Sequence, residues 1–559
     1  MVRRVINFFN KEINGLHEAA YLLAFFAFLS QLLALVRDRM LAATFGAGHD
    51  LDIYYSAFRI PDFIFVTVAS LVAISVLVPF IIEKVNISTE ESKRFIDNVF
   101  SFFFLLIFLV SAVVFLFVPY LIPLIFKGFA LKDFPELITL TRILLLSPIL
   151  LGLSNFFGSI TQVYKRFLIY SISPLVYNLG IIFGIIVLYP IYGLRGVIFG
   201  VVLGAILHLL IQIPFVIKQG MFPRLSFREI DFVEIRKIMM LSVPRTFTLG
   251  LTQITTIFLI AMATFMKEGS VAVFNLSLNL QSVPLTIIGV SYSIAAFPTL
   301  ARHFTSGESD KFLNEIITSA RHIIFWSIPI SILFIVLRAQ IVRTILGAGE
   351  FDWANTRLTA AALALFSFSA VAQGLILLFV RGYYAMGNTK KPLIIGTISG
   401  ALVILLSYLF VNIFESYATF QYFIESLFRV SDIPGTLVLM LPLGYTLAVL
   451  INCILLWIYF AKEFVGFTRP LCATLFHSFS ASVIMGLVAY LCLNIFDNFL
   501  NINTVLGIFT QGFLSGIIGI IAGIIILNLL NNQEIKEIWT TLHHKIWNVK
   551  PLPADINEI

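Results

Sequence analysis

Seven charged residues crowd into a stretch that is otherwise apolar. They are Arg37, Asp38 and Arg39, then Asp50 and Asp52 behind a Gly46-Ala47-Gly48 turn, then Arg59 and Asp62 on either side of Pro61. One helical face cannot hold them all, so some point to water and some inward. A guanidinium group binds phosphate or carboxylate through two parallel N–H donors, so inward-facing Arg37 and Arg59 make an anion site. Asp38 and Asp52 are then the charge partners that orient them. The same residues also fit a set of interfacial ion pairs that fix the loop, and residue type alone leaves both readings open.

Other polar residues stand singly in apolar surroundings. Arg245, in Val243-Pro244-Arg245-Thr246, is either a snorkelling interfacial cation or a phosphate contact from the cytoplasmic side. Asn279 belongs with Gln253, Asn275 and Gln281 to a polar group suited to interhelical hydrogen bonding or to lining a cavity. His208 and Gln212, one turn apart, read as a packed polar pair or a proton relay, and Arg142 as a structural or snorkelled cation. Cys453, Cys472 and Cys492 all lie in apolar runs and read as core residues. The sequence contains no HExxH, P-loop, GxSxG or Cys/His cluster at ligand spacing, so neither an enzyme nor a metal or cofactor site is expected.

What must position these residues follows from composition. Of 559 residues, 59% are apolar and 12% charged, against about 45–50% and about 25% in an ordinary soluble protein. The mean hydropathy is +0.98. So few charges cannot cover a water-soluble surface of this size, which excludes soluble enzymes, nucleic-acid binders and secreted disulfide scaffolds. The net charge of +7 then belongs to cations that set topology and touch anionic lipid headgroups, not to a nucleic-acid partner.

About fourteen runs are long and apolar enough to cross a bilayer, centred near Phe26, Val72, Leu109, Ile149, Leu179, Leu203, Thr255, Ile288, Ser331, Ser369, Leu402, Val449, Ile484 and Ile518. With both termini cytoplasmic, most of the cations fall in inside loops, among them Arg3, Arg4, Lys165, Arg166, Arg224, Arg236, Lys237, Lys390 and Lys391. The expectation is an all-α polytopic membrane protein of two six-helix lobes plus two C-terminal helices. Residues 1–15 form an interfacial segment, 16–217 the first lobe, 218–237 a basic cytoplasmic linker, 238–465 the second lobe and 466–531 the last two spans. Residues 532–559 are a cytoplasmic amphipathic tail, with Ile535, Ile538, Trp539, Leu542, Ile546 and Trp547 on one face. The connection from Glu415 to Pro434 is the longest external one and carries a short surface helix.

The two lobes repeat one another at an offset of about 220 residues. Ser30-Gln31 opens a stretch ending Ala43-Thr44-Phe45, and Thr252-Gln253 opens one ending Ala263-Thr264-Phe265. A span with an internal and a terminal proline follows each: Pro61 and Pro79, then Pro284 and Pro298. Duplicated bundles with a site at their interface are a transporter design that works by rocking of the halves. Charges at membrane depth cost roughly 2.5–3.5 kcal/mol each on insertion scales and by default mark a functional interior.

The stretch from Ser30 to Pro79 resembles the opening of the MurJ/MviN family, the lipid II flippases of the bacterial cell wall. That family shows S-R-x-x-G-x-x-R-D, then F-G-A-G-x-x-x-D, A-F-[RK]-[IL]-P-N and V-P. Ser30, Arg37, Asp38, Phe45, Gly46, Ala47, Gly48, Asp52, Ala57, Phe58, Arg59, Pro61, Val78 and Pro79 match in register. Arg381-Gly382-Tyr383-Tyr384-Ala385 resembles the family's R-x-F-Y-A turn. The resemblance implies the multidrug/oligosaccharidyl-lipid/polysaccharide (MOP) exporter fold. It also implies transport of undecaprenyl-diphosphate-linked peptidoglycan precursor across the bacterial inner membrane by alternating access, and cell-wall synthesis machinery as a possible partner.

On that reading Arg37 and Arg59 bind the diphosphate, Asp38 and Asp52 position them, and Arg245 and Asn279 complete the cavity. Membrane potential or a coupling ion supplies the energy. The chain departs from the pattern where the family has arginine or glycine: Gln31, Ala34, Phe65 and Val66 stand there instead, and Asn279 replaces another arginine. Either lipid II is held by fewer charges, or the cargo is another polyprenyl-linked saccharide. A cation-coupled exporter of small amphiphiles shares the fold, and a non-transporting scaffold for cell-wall assembly is a further class.

Overall fold

The structure, a computed structural model, describes residues 16–72, 74–226, 231–501 and 504–537. The expected interfacial N-terminal segment and most of the amphipathic tail lie outside the described residues. Every regular element among the described residues is a helix. The first passage is α1 (Leu16–Phe45), which ends at Gly46, a residue with φ of +62°. There follow α2 (His49–Ala57), α3 (Arg59–Val68), a 3-10 turn (Ala69–Val72) and α4 (Ile74–Ile87). Proline removes one N–H, and its ring clashes with the carbonyl four residues back. Pro61 thus ends α2 at Ala57. Beyond α5 (Thr89–Ile125), Pro148 likewise separates α6 (Phe134–Leu144) from α7 (Leu146–Val163). The Ser88 hydroxyl caps α5 by accepting from Glu91 N at 3.0 Å. α8 (Phe167–Phe183) runs into a π turn (Gly184–Leu188), and α9 (Leu194–Leu210) follows.

The second half retraces this order. α10 (Phe232–Ala263) is followed by α11 (Ser270–Leu285), a π turn (Thr286–Val290) just past Pro284, and α12 (Ser291–Thr305). α13 (Ser309–Val336) comes next, then α14 (Trp353–Ser367) and α15 (Ala370–Ala385), which meet at a bend of 42°. No proline causes that bend. Ser367 and Ser369 donate their hydroxyls back to the Leu363 and Phe366 carbonyls, which competes with the helix ladder. α16 (Lys390–Ser416), α17 (Ala418–Phe428), α18 (Met440–Glu463), α19 (Thr468–Asp497) and α20 (Val505–Leu529) complete the chain.

Among the described residues, 11 helices are long and apolar enough to cross a membrane, or 12 if α14 and α15 count as one span. The expectation was about fourteen. The runs near Phe26 and Val72 fall on α1, part of whose side chains lie outside the described set, and on the α3–α4 passage, whose interruption leaves no single piece long enough.

The helices sort into two compact units. One comprises Met1–Leu280, Ile345–Ala362 and Leu393–Ala448; the other comprises Gln281–Thr344, Leu363–Pro392 and Val449–Ile559. Within the first, α8 and α9 pack backbone to backbone. A Cβ on Gly180 would stand 2.3 Å from the Gly204 Cα, and one on Gly200 2.4 Å from the Gly184 Cα. Small residues at such spacing let membrane helices approach where no hydrophobic force between them exists. α1 in turn lies along α8.

Within the second unit, Phe379 of α15, Phe460 of α18 and Phe467 form a buried aromatic cluster with centroids 5.3–5.7 Å apart. The segment after α20 docks here as well. Ile535 packs against Phe325, Ala481 and Leu527, while buried Glu534 accepts from Arg321 Nε and Thr474 Oγ1, each at 2.8 Å. Burial raises the Glu534 pKa, but these hydrogen bonds outweigh it and hold the carboxyl below its ordinary value. A depressed carboxyl stabilises the folded form above the unfolded pKa, about 4.3 for Glu. Hydrogen-exchange protection of residues 533–537 is therefore expected to be constant from neutral pH down to that value. It is then lost as pH falls through the lower folded pKa; unchanged protection under strong acid would show that the carboxylate contributes nothing.

Candidate functional site

Of the charged residues singled out by sequence, Arg37, Asp38, Arg59 and Asp62 come together in the first unit, at the end of α1 nearest the Gly46 turn. Arg37 and Asp38 are successive on α1 yet pair through the length of the arginine side chain. Arg37 Nε and Nη2 both donate to Asp38 Oδ1, at 3.0 and 2.8 Å. The Asp38 side chain is 5% exposed and that of Arg37 21%. Arg37 Nη1 donates to Asn178 Oδ1 of α8 at 3.1 Å, and Asn178 Nδ2 reaches Ser30 Oγ at 3.4 Å. Ser30 lies two turns before Arg37 on the same face of α1. From α11, Asn279 Nδ2 donates to the second Asp38 oxygen at 3.1 Å.

Arg59 opens α3 at the break made by Pro61, and its Nε donates to the Tyr55 carbonyl at 3.1 Å. Its Nη2 donates to Asn275 Oδ1 at 2.5 Å. Asn275 and Asn279 stand four residues apart, hence on one face of α11. That face turns one amide to each arginine–aspartate group. Asp62 lies within Coulombic reach of Arg59, and Tyr55 within reach of Arg37, Asp38 and Arg59. The four charged groups therefore form one patch, formally neutral, of two cations and two carboxylates.

Asp52 requires a correction. It was expected to orient the arginines, but its buried carboxylate accepts from the backbone N–H of Gly269 and of Ala272, at 2.7 Å each. These are donors at the start of α11 that have no partner within the helix. Gly269 has φ of +90°, and a Cβ there would lie 2.0 Å from the Ala47 carbonyl oxygen, so the two turns are pressed together. Asp52 thus registers α11 against α2, and Asn275 and Asn279 hang one and two turns further along. Its effect on the arginines passes through the helix.

The remaining candidates are dispersed. Arg39 Nη1 donates to the Ile345 carbonyl at 3.1 Å, away from the Arg37 pair. Arg245 lies in α10, and its side chain is outside the described set. Arg142 packs over the Phe115 ring at 4.7 Å and donates to the Phe115 carbonyl, as a structural cation does. His208 Nδ1 and Gln212 Nε2 both meet Ser154 Oγ at 2.6 Å, so a hydroxyl on α7 is the hub of that pair. Among the described residues no group of three or more His, Cys, Asp and Glu is placed to hold a metal ion. Asn178 was missed; its only signal was one amide inside an apolar run.

A family model described as lipid II flippase MurJ matches residues 41–419. A relative from Haemophilus influenzae named "Probable lipid II flippase MurJ" is 27% identical over 391 residues, which is 66% of this chain and 76% of that protein. "Lipid II flippase MurJ" of Burkholderia cenocepacia is 24% identical over 399 residues, 69% of this chain and 76% of that one. Among solved structures, a lipid II flippase MurJ in an inward closed conformation superposes with a TM-score of 0.71 at 22% identity, covering 93% of this chain and 100% of that one. An inward-facing multidrug resistance MATE family transporter of the MOP superfamily gives 0.65 at 15% identity, covering 79% and 96%. At these identities the structural likeness speaks to the fold.

Proposed function

The chain belongs to the lipid II flippase MurJ family, and from that premise we propose that it translocates lipid II, the undecaprenyl-diphosphate-linked peptidoglycan precursor, across the bacterial inner membrane. The observation that carries the site assignment is the arginine patch at the α1–α3–α11 contact. A diphosphate needs cations inside the membrane domain, while a prenyl tail can stay in lipid, and flipping makes and breaks no covalent bond. Arg59 spends one N–H on Tyr55 and one on Asn275, so the Nη1 side of its fork is the one to meet a phosphate oxygen. Arg37 is held in place by Asp38, and Asp38 by Asn279; these two are positioning residues. Arg245 stays a candidate contact on its sequence position.

The cycle is alternating access by rocking of the two six-helix lobes about the substrate site, with both termini cytoplasmic. Membrane potential, worth about 2.3 kcal/mol per charge per 100 mV, or a coupling ion drives it. The formal neutrality of the patch favours one alternative, a flippase for another polyprenyl-linked saccharide, because a neutral patch draws a doubly charged diphosphate less strongly. A cation-coupled exporter of small amphiphiles is the more distant reading, suggested by the MATE-like fold.

The test is surface exposure of lipid II in spheroplasts depleted of their own flippase and supplied with this chain. Restored exposure is expected. Correct membrane insertion without restored exposure would transfer the assignment to another lipid-linked saccharide.

A further inference from the structure

We infer that α17 is a lipid-contacting helix lying in the membrane–water interface, its uncharged aromatic face turned to the bilayer. The match to the family model ends at residue 419, two residues into this helix, so nearly all of the element lies beyond that match. Chain geometry fixes its depth. One residue, Tyr417, separates it from the end of the span Lys390–Ser416, and the next span begins at Thr436. Consecutive Cα atoms are about 3.8 Å apart, so the start of α17 cannot leave the level at which α16 ends. α17 also folds back on α16. The Phe420 ring stacks on Phe410 at 6.3 Å and meets Phe414 edge-on at 6.4 Å, which places it beside the last two turns of that span.

Further bonds hold the far end at the same level. Thr436, the first residue of the next span, donates its hydroxyl to Glu425 Oε1 at 2.6 Å, and Gln421 Nε2 donates to the same oxygen at 3.0 Å. Arg357 of α14 grips Asp432 through two bonds of 2.7 and 2.6 Å and also donates to the Arg429 carbonyl.

The face so placed is uncharged and mostly apolar, with Ser426 exposed among its aromatic and aliphatic side chains. Ile424 and Phe428 are buried against the protein, whereas Tyr422, Phe423 and Leu427 are 70%, 58% and 56% exposed. Between Tyr417 and Phe428 the one charged side chain is Glu425, and it is turned to Gln421 and Thr436. A helix in water presents charge on its outer face; an interfacial helix presents aromatic and aliphatic side chains, with tyrosine at headgroup level. Without basic residues on that face, attachment depends on apolar contact and not on anionic lipid.

Nitroxide labels at Tyr422→Cys, Phe423→Cys and Leu427→Cys test this in the full chain reconstituted in phosphatidylcholine vesicles. Cys472 and Cys492 are replaced by alanine, and buried Cys453 does not label. All three sites are exposed, so the substitutions leave the packing intact. Oxygen collisions are expected to exceed those of a water-soluble nickel chelate at all three positions, unchanged between low and high salt. Chelate collisions in excess would mean a solvated loop, and low collisions with both reagents would mean that a protein surface covers the face. Either result overturns the inference.

Discussion

Replacing Arg37 by alanine is expected to abolish lipid II exposure and at the same time to loosen the first unit. The variant leaves the Asp38 carboxylate, 5% exposed, without the cation that holds it. Removing one member of a buried pair costs about 3–5 kcal/mol, because the remaining charge stays desolvated and uncompensated. Loss of transport from this single variant is therefore ambiguous between a ligand and a structural strut. A second variant separates them. Arg37→Met combined with Asp38→Leu removes both charges at similar volume, a replacement that is often neutral or stabilising. The double variant is expected to melt close to the parent in detergent and still to move no precursor. A stable double variant that restores exposure would show that Arg37 is no diphosphate contact and that the pair serves the fold alone.

The second large effect is expected at Asp52, and it is one of assembly. Asp52→Ala strips two charge-assisted bonds of 2.7 Å from the start of α11 and leaves two buried N–H groups unpaired. Hydrogen bonds to charged groups contribute about 1.5–3 kcal/mol each, and helix caps about 0.5–2 kcal/mol, so a loss of about 2–5 kcal/mol follows. Asp52→Asn keeps the shape but offers one acceptor where two are needed, so its melting temperature should fall between alanine and parent. Transport should decline in the same order, since Asn275 and Asn279 reach the arginines only while α11 keeps its register. An alanine variant that melts with the parent would remove the cap from the account.

Much of this was legible in the residues. Hydropathy marked the runs that became helices, and Pro61 and Pro284 marked where two passages break, since a missing N–H and a ring clash act within one helical turn, whereas Pro79 and Pro298 lie inside continuous helices. The repeat showed in matched spacing, while the compact units of the structure cut across the expected lobe boundaries. The arginines were conspicuous for their cost in lipid. The pairings were less legible. Adjacent residues on a helix do not face each other, so nothing in the order Arg37-Asp38 announces that the two side chains pair. Asn178 carried only the weak signal of one amide among apolar neighbours, and its value came from α8 lying along α1. Asp52 looked like a third charge for the arginines because it is close to them in sequence.

By itself, then, the sequence determined the solvent, the helical class and the residue types available to hold an anion. Each of these depends on composition or on spacing within a turn or two of helix. Tertiary structure alone decided what each polar group does. Asp52 is bound to an amide 217 positions away, Arg59 to a side chain 216 away and Asp38 to one 241 away. In a low-dielectric interior a polar group must find a partner, and which partner it finds depends on which helices pack together, not on where the residue stands in the chain.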